Sequence, residues 1–472
     1  MNKLSVDVAV IGAGTAGLAA YRAARKHHDR VLIIESGPYG TTCARVGCMP
    51  SKLLIAAAEA AHHAREADMF GVHAGQVRVD GRAVMARVRS ERDRFVGFVL
   101  ESTHALPEQD RLRGYARFLN DHTLRIDDHT EVQARAIVIA TGSSPRVPAL
   151  FDGLGDRLII NDDVFDWQDL PESVVVFGPG VIGLEISQAL HRLGVRVRLL
   201  GRGGAVGPLS DPLVRDAAYR AFSAEFPLEP DAHVESIVRH GDGVIVRRRD
   251  AKGTLVQERF DYLLAATGRS PHVTGLGLAN TSLELDRFGV PVFDQQTLQC
   301  GHSNIFIAGD ANNDVPLLHE AADEGAIAGD NAGRHPFIQR GHRRSPIGVV
   351  FSDPQLAMIG QRYDQLRPGR FVTGEVSFQN QGRSRVMGQN RGLLHLYADA
   401  ATGRLLGAEM VGPRAEHLAH LLAWAHQQRQ TIAGMLEMPF YHPVIEEGLR
   451  TALRDAEAKR EEVMQTRTAA SG

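Results

Sequence analysis

Cysteine is scarce in this chain, with three in 472 residues, and aromatic residues make up only 6%. So few thiols cannot staple a small secreted scaffold, and stability has to come from buried cores. No run of eighteen apolar residues occurs, so no stretch has the character of a membrane-spanning helix. A dominant charge is lacking too. The 53 Lys and Arg stand against 56 Asp and Glu for a net charge of -3, so nothing supplies the basic field that nucleic acid or anionic lipid would need. The first fourteen residues have the apolar look of a signal peptide, but Asp7 interrupts them, and a cytoplasmic setting is expected. By length alone the chain holds about three domains, each large enough for its own core.

Against this plain background one stretch stands out, Gly40 to Lys52, which carries Cys43 and Cys48 five apart just before a run of good helix formers beginning at Leu53. Pro50 suits a first helical turn, because the N–H it lacks would be unpaired there. Cys48 is therefore expected at a helix N-terminus, where free N–H groups and the helix dipole favour a thiolate. A structural disulfide fits poorly with so few cysteines. A zinc site lacks ligands, since only His62 and His63 are near and no second cysteine pair follows. A redox-active pair with no metal is the expectation.

Upstream, Val6 to Ile11 reads as a buried strand, Gly12, Gly14 and Gly17 as a turn into a helix over 18–26, and Arg30 to Ile34 as a second strand ending in Glu35. Strand, glycine turn, helix, strand and acid in this order form the dinucleotide-binding pattern. The glycines let backbone approach a pyrophosphate at the helix N-terminus, and Glu35 can accept from a ribose hydroxyl. The pattern recurs: a strand over 174–177, then Gly178, Gly180 and Gly183, a helix over 184–193 and a strand over 195–200. Two complete patterns imply two bound dinucleotides. In the second the acid is missing, with Gly201 in its place and Arg202 next. Each unit closes on an apolar strand and the same turn, Ala140-Thr141-Gly142 in the first and Ala266-Thr267-Gly268 in the second. Asn304 to Ile307 then reads as a strand that delivers Gly309 and Asp310. Later strands are expected over 347–351, 392–398 and 405–411, helices over 415–428 and from 445 to about 460, and a disordered tail over 464–472.

In this order the residues resemble the FAD-holding pyridine nucleotide-disulfide oxidoreductases, in the branch of dihydrolipoamide dehydrogenase and glutathione reductase. The resemblance rests on the first glycine pattern with Glu35, Cys43 to Lys52, Ala140 to Gly142, the second pattern with Glu185, Ala266 to Arg269, Gly309-Asp310, and the closing His442-Pro443 with Glu447. It implies that Cys43 exchanges with substrate and that Cys48 lies against the flavin and passes electrons to it. Lys52 and Glu185 are then expected to pair near the flavin N5, Asp310 to contact the ribityl chain, and His442 to act as base with Glu447 orienting it. FAD contacts are expected from Gly12, Gly14, Gly17, Glu35, Thr42, Lys52, the turn from Ala140 through Thr141 to Gly142, Gly309 and Asp310. Contacts to NAD(P) are expected from Gly178, Gly180, Val181, Gly183, Glu185, Arg202, Gly268 and Arg269.

The resemblance implies an α/β fold with two Rossmann-like domains, for FAD and NAD(P), and a C-terminal α+β interface domain. The expected boundaries are 1–150 and 275–345 for the FAD domain, 151–274 for the NAD(P) domain and 346–472 for the interface domain. The favoured reaction is dihydrolipoamide oxidation by NAD in a homodimer, with a lipoyl-bearing protein of a 2-oxoacid dehydrogenase complex as a further partner. The alternatives are an NADPH-driven reductase of a small disulfide and a non-catalytic FAD-binding subunit or redox sensor. Departures from the family pattern are Thr41 for a glycine, Arg45 between the cysteines, and Val181 where the glutathione reductase branch has tyrosine. No vicinal cysteine pair of the mercuric reductase kind closes the chain, and Cys300 reads as a small buried hydrophobe.

Overall fold

In the computed structural model, which describes residues 1–471, the chain folds into two compact units, each assembled from separated stretches. The first comprises residues 1–53, 86–146 and 268–343. The second comprises 54–85, 147–267 and 344–472. Residues 54–85, which the sequence reading assigns to the first nucleotide domain, thus group with the second unit.

The first unit is built on a seven-stranded sheet. Asn2–Ile11 runs parallel to Val31–Glu35 on one side and to Thr130–Ile139 on the other, and Val31–Glu35 carries Arg111–Arg113 at its outer edge. Thr130–Ile139 is paired along its first half with the antiparallel hairpin Ala116–Asn120 and Thr123–Ile126, and along its second half with parallel Ile305–Ile307. Val8 and Val10 face one core, and Ala9 and Ile11 the other. A strand covered on both faces reads as a continuous apolar run, which is why Val8 to Ile11 does not alternate.

One face is closed by the helices Thr15–Ala24 and Leu318–Arg334. They approach closely because Gly325 and Gly329 present no side chain: a Cβ at Gly325 would lie 2.2 Å from the Ala16 carbonyl oxygen, and one at Gly329 2.1 Å from that of Ala20. Asp7, which breaks the apolar run in sequence, is 9% exposed and accepts a two-pronged pair of bonds from Arg30, both at 3.1 Å.

The second unit contains a parallel five-stranded sheet in the order Leu228–Glu229, Arg196–Leu200, Ser173–Phe177, Tyr262–Ala265, Leu158–Ile159. It also contains an antiparallel three-stranded sheet over His233–His240, Gly243–Arg249 and Leu255–Phe260. The last sheet is antiparallel, in the order Ile347–Val350, Gln355–Gly360, Leu405–Gly412, Leu393–Asp399, Phe371–Ser377. Ala415–Gln427 and Glu447–Ser471 supply helical residues to its core.

The tail expected to be disordered instead continues the final helix as far as Ser471. After Gly448 the sequence has neither glycine nor proline before Gly472, and its Ala, Arg, Glu and Gln are strong helix formers. Gly472 lies outside the described residues.

Two glycines in helices separate packing from propensity. Gly329→Leu should cost about 3 kcal/mol by forcing the helix pair apart. Gly97→Ala, where a Cβ meets nothing within 4 Å, should stabilise by about 0.5 to 1 kcal/mol through helix propensity alone. Chemical denaturation of each variant checks both signs.

Candidate functional site

The expected nucleotide residues of the first unit collect at the C-terminal ends of four adjacent parallel strands. Gly12 follows Ile11, Glu35 ends its strand, Ala140 follows Ile139, and Gly309 and Asp310 come just after Ile307. In parallel α/β sheets this is the edge where ligands bind. The turn is closed by backbone: Gly12 N–H donates to the Ile34 carbonyl at 2.7 Å and Ala140 N–H to the Ile11 carbonyl at 2.8 Å. Gly12 has φ of +106°, and a Cβ there would stand 2.3 Å from the Ala140 carbonyl oxygen. Gly17 packs so tightly that its Cβ would lie 1.8 Å from the Gly12 carbonyl oxygen. Gly14 differs, with nothing within 4 Å of a Cβ and no side chain capping the helix it begins. Open space before uncapped N–H groups fits a pyrophosphate. Glu35 braces the turn, accepting from Ala13 N–H at 2.8 Å and Gly37 N–H at 2.7 Å.

The second pattern repeats this geometry. Gly178 (φ +107°) would place a Cβ 2.3 Å from the Ala266 carbonyl oxygen, Gly183 one 1.9 Å from that of Gly178, and Gly180 meets nothing within 4 Å. Val181 opens the following helix and is 37% exposed. The position after the next strand is closed to an acid. A Cβ on Gly201 would fall 2.5 Å from the Pro230 carbonyl oxygen and 2.6 Å from Pro179 Cγ. Glycine stands there because Pro179 fills the room an acid would need, so restoring the acid is sterically barred. Exposed Arg202 is followed by Gly203, whose N–H donates to Asp231 Oδ1 at 2.8 Å.

Cys48 is the first residue of the helix Cys48–Glu66, as its sequence context predicts. A short helix, Thr42–Val46, precedes it and contains half-buried Cys43. Gly47 joins the two so closely that a Cβ on it would sit 3.1 Å from Cys43 Cα. Both cysteines are free thiols in this structure. The hydrogen bond to Cys48 is the main influence holding the Cys43 pKa high, followed by burial, while the Lys52 charge opposes them. Lys52 Nζ donates to Ser51 Oγ at 3.3 Å, and Ser51 Oγ to the Cys48 carbonyl at 3.0 Å. Arg45 lays its side chain over Gly40, with Cδ 3.0 Å from where a Cβ would be. Cys300 is fully buried, and burial raises its pKa far above the ordinary thiol range.

The two Ala-Thr-Gly turns lead into strands that pair with each other, Ser143–Pro145 antiparallel to Arg269–Pro271. Thr141 Oγ1 donates to the His272 carbonyl at 2.7 Å. Ser143, which the sequence reading passed over, donates to Asp310 Oδ2 at 2.6 Å and accepts from Arg269 Nε at 2.7 Å. The clue in sequence was its place directly after the first turn. Gly309 N–H donates to Glu324 Oε2 at 2.8 Å, tying the Asp310 segment to the long glycine-bearing helix.

In the second unit, Glu185 is 4% exposed and accepts from Phe351 N–H at 2.9 Å. His442 Nδ1 lies 3.0 and 3.1 Å from the two Glu447 oxygens. That bond, the leading cause, holds the Glu447 carboxyl below the usual range. Arg450, also unforeseen although only three residues on, donates to Glu447 at 2.9 Å. The His442 side chain is 80% exposed, so a neutral ring bonded to Glu447 through Nδ1–H presents Nε2 as a base. Beside it runs an apolar groove of about 530 Å³ lined by Leu421, Trp424, Met438, Phe440 and Tyr441. Trp424 is 68% exposed and Tyr441 80%. Among the described residues no group of three or more His, Cys, Asp or Glu could hold a metal ion, and no helix is long and apolar enough to cross a membrane.

Residues 6–325 match the family model described as pyridine nucleotide-disulphide oxidoreductase, and 347–453 match that family's dimerisation domain. Among curated proteins the chain is 30% identical to a dihydrolipoyl dehydrogenase from Haloferax volcanii, over 95% of this chain and 96% of that one. It is 31% identical to a mercuric reductase from Acidithiobacillus ferrooxidans, over 95% and 82%. The fold is similar to that of the HOCl-induced flavoprotein disulfide reductase RclA from Escherichia coli, with a TM-score of 0.79 at 23% identity, covering 96% of this chain and 99% of that one.

The open and closed glycines of one turn make a paired test. Gly14→Ala should fold with a melting temperature near wild type yet purify with little FAD, because its methyl enters only the space before the helix N-terminus. Gly17→Ala should fail to fold, since no neighbour can yield to a backbone contact of 1.8 Å. Thermal melting and flavin absorbance of the two proteins distinguish these outcomes.

Proposed function

This chain belongs to the pyridine nucleotide-disulphide oxidoreductases, enzymes that use FAD and NAD(P), and we propose that its reaction is the oxidation of dihydrolipoamide through Cys43 and Cys48. The hydrogen-bonded thiol pair at the start of the helix Cys48–Glu66 carries this reading. One substrate thiolate attacks Cys43 of the oxidised pair and displaces Cys48 as thiolate. The second substrate sulfur then attacks the mixed disulfide, which closes the lipoamide ring and leaves Cys43 and Cys48 reduced. Bound FAD supplies the two-electron relay from the reduced pair to NAD(P).

The chain's residues divide that work. The first glycine turn, Glu35, Ser143 and Asp310 would hold FAD, and the second turn the nicotinamide nucleotide. Cys43 exchanges with substrate, Lys52 and Glu185 act beside the flavin, and His442, oriented by Glu447, takes the substrate proton. We assign 1–150 and 275–345 to the FAD domain, 151–274 to the NAD(P) domain and 346–472 to the interface domain, with 54–85 grouping with the second compact unit and 268–274 with the first. The exposed groove with Trp424 and Tyr441 supports a homodimer in which each His442 serves the partner's thiol pair. A lipoyl-bearing protein is the natural carrier of such a substrate, and a reducing cytoplasm suits the free thiols.

Wild-type holoenzyme should form NAD(P)H from dihydrolipoamide, whereas Cys43→Ser and His442→Ala homodimers should be nearly inactive. Mixing the two variants should restore about half of wild-type activity per hybrid dimer, because one site carries both defects and the other neither. No restoration would mean that each subunit uses its own histidine. A wild-type protein that instead reduces a small disulfide with NADPH, and leaves dihydrolipoamide untouched, would move the assignment to a disulfide reductase.

Nucleotide choice rests on Arg202. Gly201 cannot carry the acid that would repel a 2′-phosphate, the Asp231 carboxylate nearby is bonded by the Gly203 N–H, and the exposed Arg202 guanidinium can pair with such a phosphate. Arg202→Ala should shift the kcat/KM ratio toward NAD by about tenfold, or roughly 1.4 kcal/mol. A wild-type preference for NAD of about a thousandfold would overturn the assignment. Gly201→Glu should lower the melting temperature rather than restore NAD selectivity.

A further inference from the structure

A buried polar cluster lies in the second unit. His395, 3% exposed, bonds Asp211 Oδ2 through Nδ1 at 2.7 Å and Glu375 Oε2 through Nε2 at 2.9 Å. Two carboxylates on the two ring nitrogens require both to carry hydrogen, as only the imidazolium does. Sheet register explains the arrangement, since His395 lies directly opposite Glu375 on one neighbouring strand and Glu409 on the other. Tyr397, two residues along, donates to Asp211 Oδ2 at 2.9 Å. Burial alone would lower the His395 pKa, but the bonds to Asp211 and Glu375 raise it above its ordinary value. Burial likewise opposes ionisation of Asp211, and the bonds from His395 and Tyr397 hold its pKa low.

This cluster grips the far end of the loop that follows the second nucleotide strand. Glu409, fully buried, accepts from the Ser210 and Asp211 N–H groups at 2.7 and 2.9 Å and from Tyr363 N–H at 2.9 Å. Asp211 caps the helix Pro212–Ser223 through Leu213 N–H at 2.9 Å. Four residues before Asp211, Gly207 N–H donates to the Pro179 carbonyl at 2.7 Å, inside the turn between Gly178 and Gly180. The segment from Gly207 to Asp211 thus links the buried cluster to the second glycine turn, and Arg202 lies at the start of the same loop, next to Gly203, whose N–H donates to Asp231 Oδ1 at 2.8 Å.

We propose that His395 is a positioning residue for the nicotinamide nucleotide: its imidazolium holds Asp211, and through it the loop 201–211, so nucleotide affinity falls when that proton leaves. The inference rests on the reading that the second glycine turn holds this nucleotide. Deprotonation leaves Asp211 and Glu409 with the nearby positive charge removed, in a site with little water to replace it. The other ionisable groups around the cluster are Tyr363, whose ring is 5.9 Å from that of Tyr397, and Arg215, one turn along the helix from Asp211. Asp455, paired with Lys459 at 2.6 Å, accepts the Glu375 N–H. Because the His395 pKa is raised on folding, its contribution to stability is complete below the unfolded value near ~6.5 and is lost as pH rises through the folded value.

The test is calorimetric binding of NAD+ and NADP+ to oxidised holoenzyme across neutral and alkaline pH, which needs no turnover. For the tighter nucleotide, wild-type Kd should be constant near neutrality and weaken by about tenfold as pH rises through the His395 transition. His395→Gln should bind weakly throughout and lose that transition. Glu375→Gln, altering a carboxylate whose side chain is 48% exposed, should fold and move the transition down by roughly half a pH unit. A flat wild-type profile, a His395→Gln profile with the wild-type transition, or a Glu375→Gln transition that does not move would each overturn the proposal. Gly180→Ala separates the two readings. If it binds as tightly as wild type, the assignment of the nucleotide to the second turn fails. If it binds weakly while neither cluster variant changes the profile, only the role of His395 fails.

Discussion

Everything in the two nucleotide-binding sheets depends on a contact between backbones that only glycine allows. In both, a strand ends at a glycine of positive φ set against the carbonyl of the strand beside it, Gly12 on Ala140 and Gly178 on Ala266. A second glycine then lets the helix return across the first, Gly17 over Gly12 and Gly183 over Gly178. With both contacts made, the helix N-terminus points its N–H groups into the space before Gly14 or Gly180. The closed glycines shape the turn, and the open one leaves room in front of the helix N-terminus. The same device on a larger scale brings Leu318–Arg334 against Thr15–Ala24 and so fixes where Gly309 and Asp310 stand.

Close approach also makes the thiol pair. Cys43 and Cys48 sit in different helices, and the bend at Gly47 brings the start of one back onto the other. The hydrogen bond to Cys48, and then burial, hold the Cys43 pKa high, while the Lys52 charge opposes them. At the other end of the chain Glu447 bonds the Nδ1 of His442, and that bond holds the Glu447 carboxyl below the usual range.

The nucleotide turns, the cysteine stretch and the closing His442 and Glu447 were legible because each is a local pattern whose spacing carries its own geometry. Less legible were the antiparallel strands between His233 and Phe260, where charged and apolar residues mix without clean alternation. The helical tail was misread because its polarity suggested disorder, although its helix propensity is high throughout. Ser143 and Arg450 escaped notice because their roles depend on partners that the fold supplies. Gly201 shows the limit most sharply. The missing acid was plain in sequence, but it read as an open choice of cofactor, whereas Pro179 and the Pro230 carbonyl leave no room for a side chain at all.

Sequence by itself determined the family and the two dinucleotide patterns, since these follow from residue types at short, fixed separations. Tertiary structure alone decided which glycines are closed and which are open, that Lys52 is a cation acting on Cys43 while Arg45 packs over Gly40, and that His395 meets Asp211 from 184 residues away. The reason is physical: pKa values, steric room and buried ion pairs are properties of a three-dimensional neighbourhood. Residues far apart along the chain make up that neighbourhood.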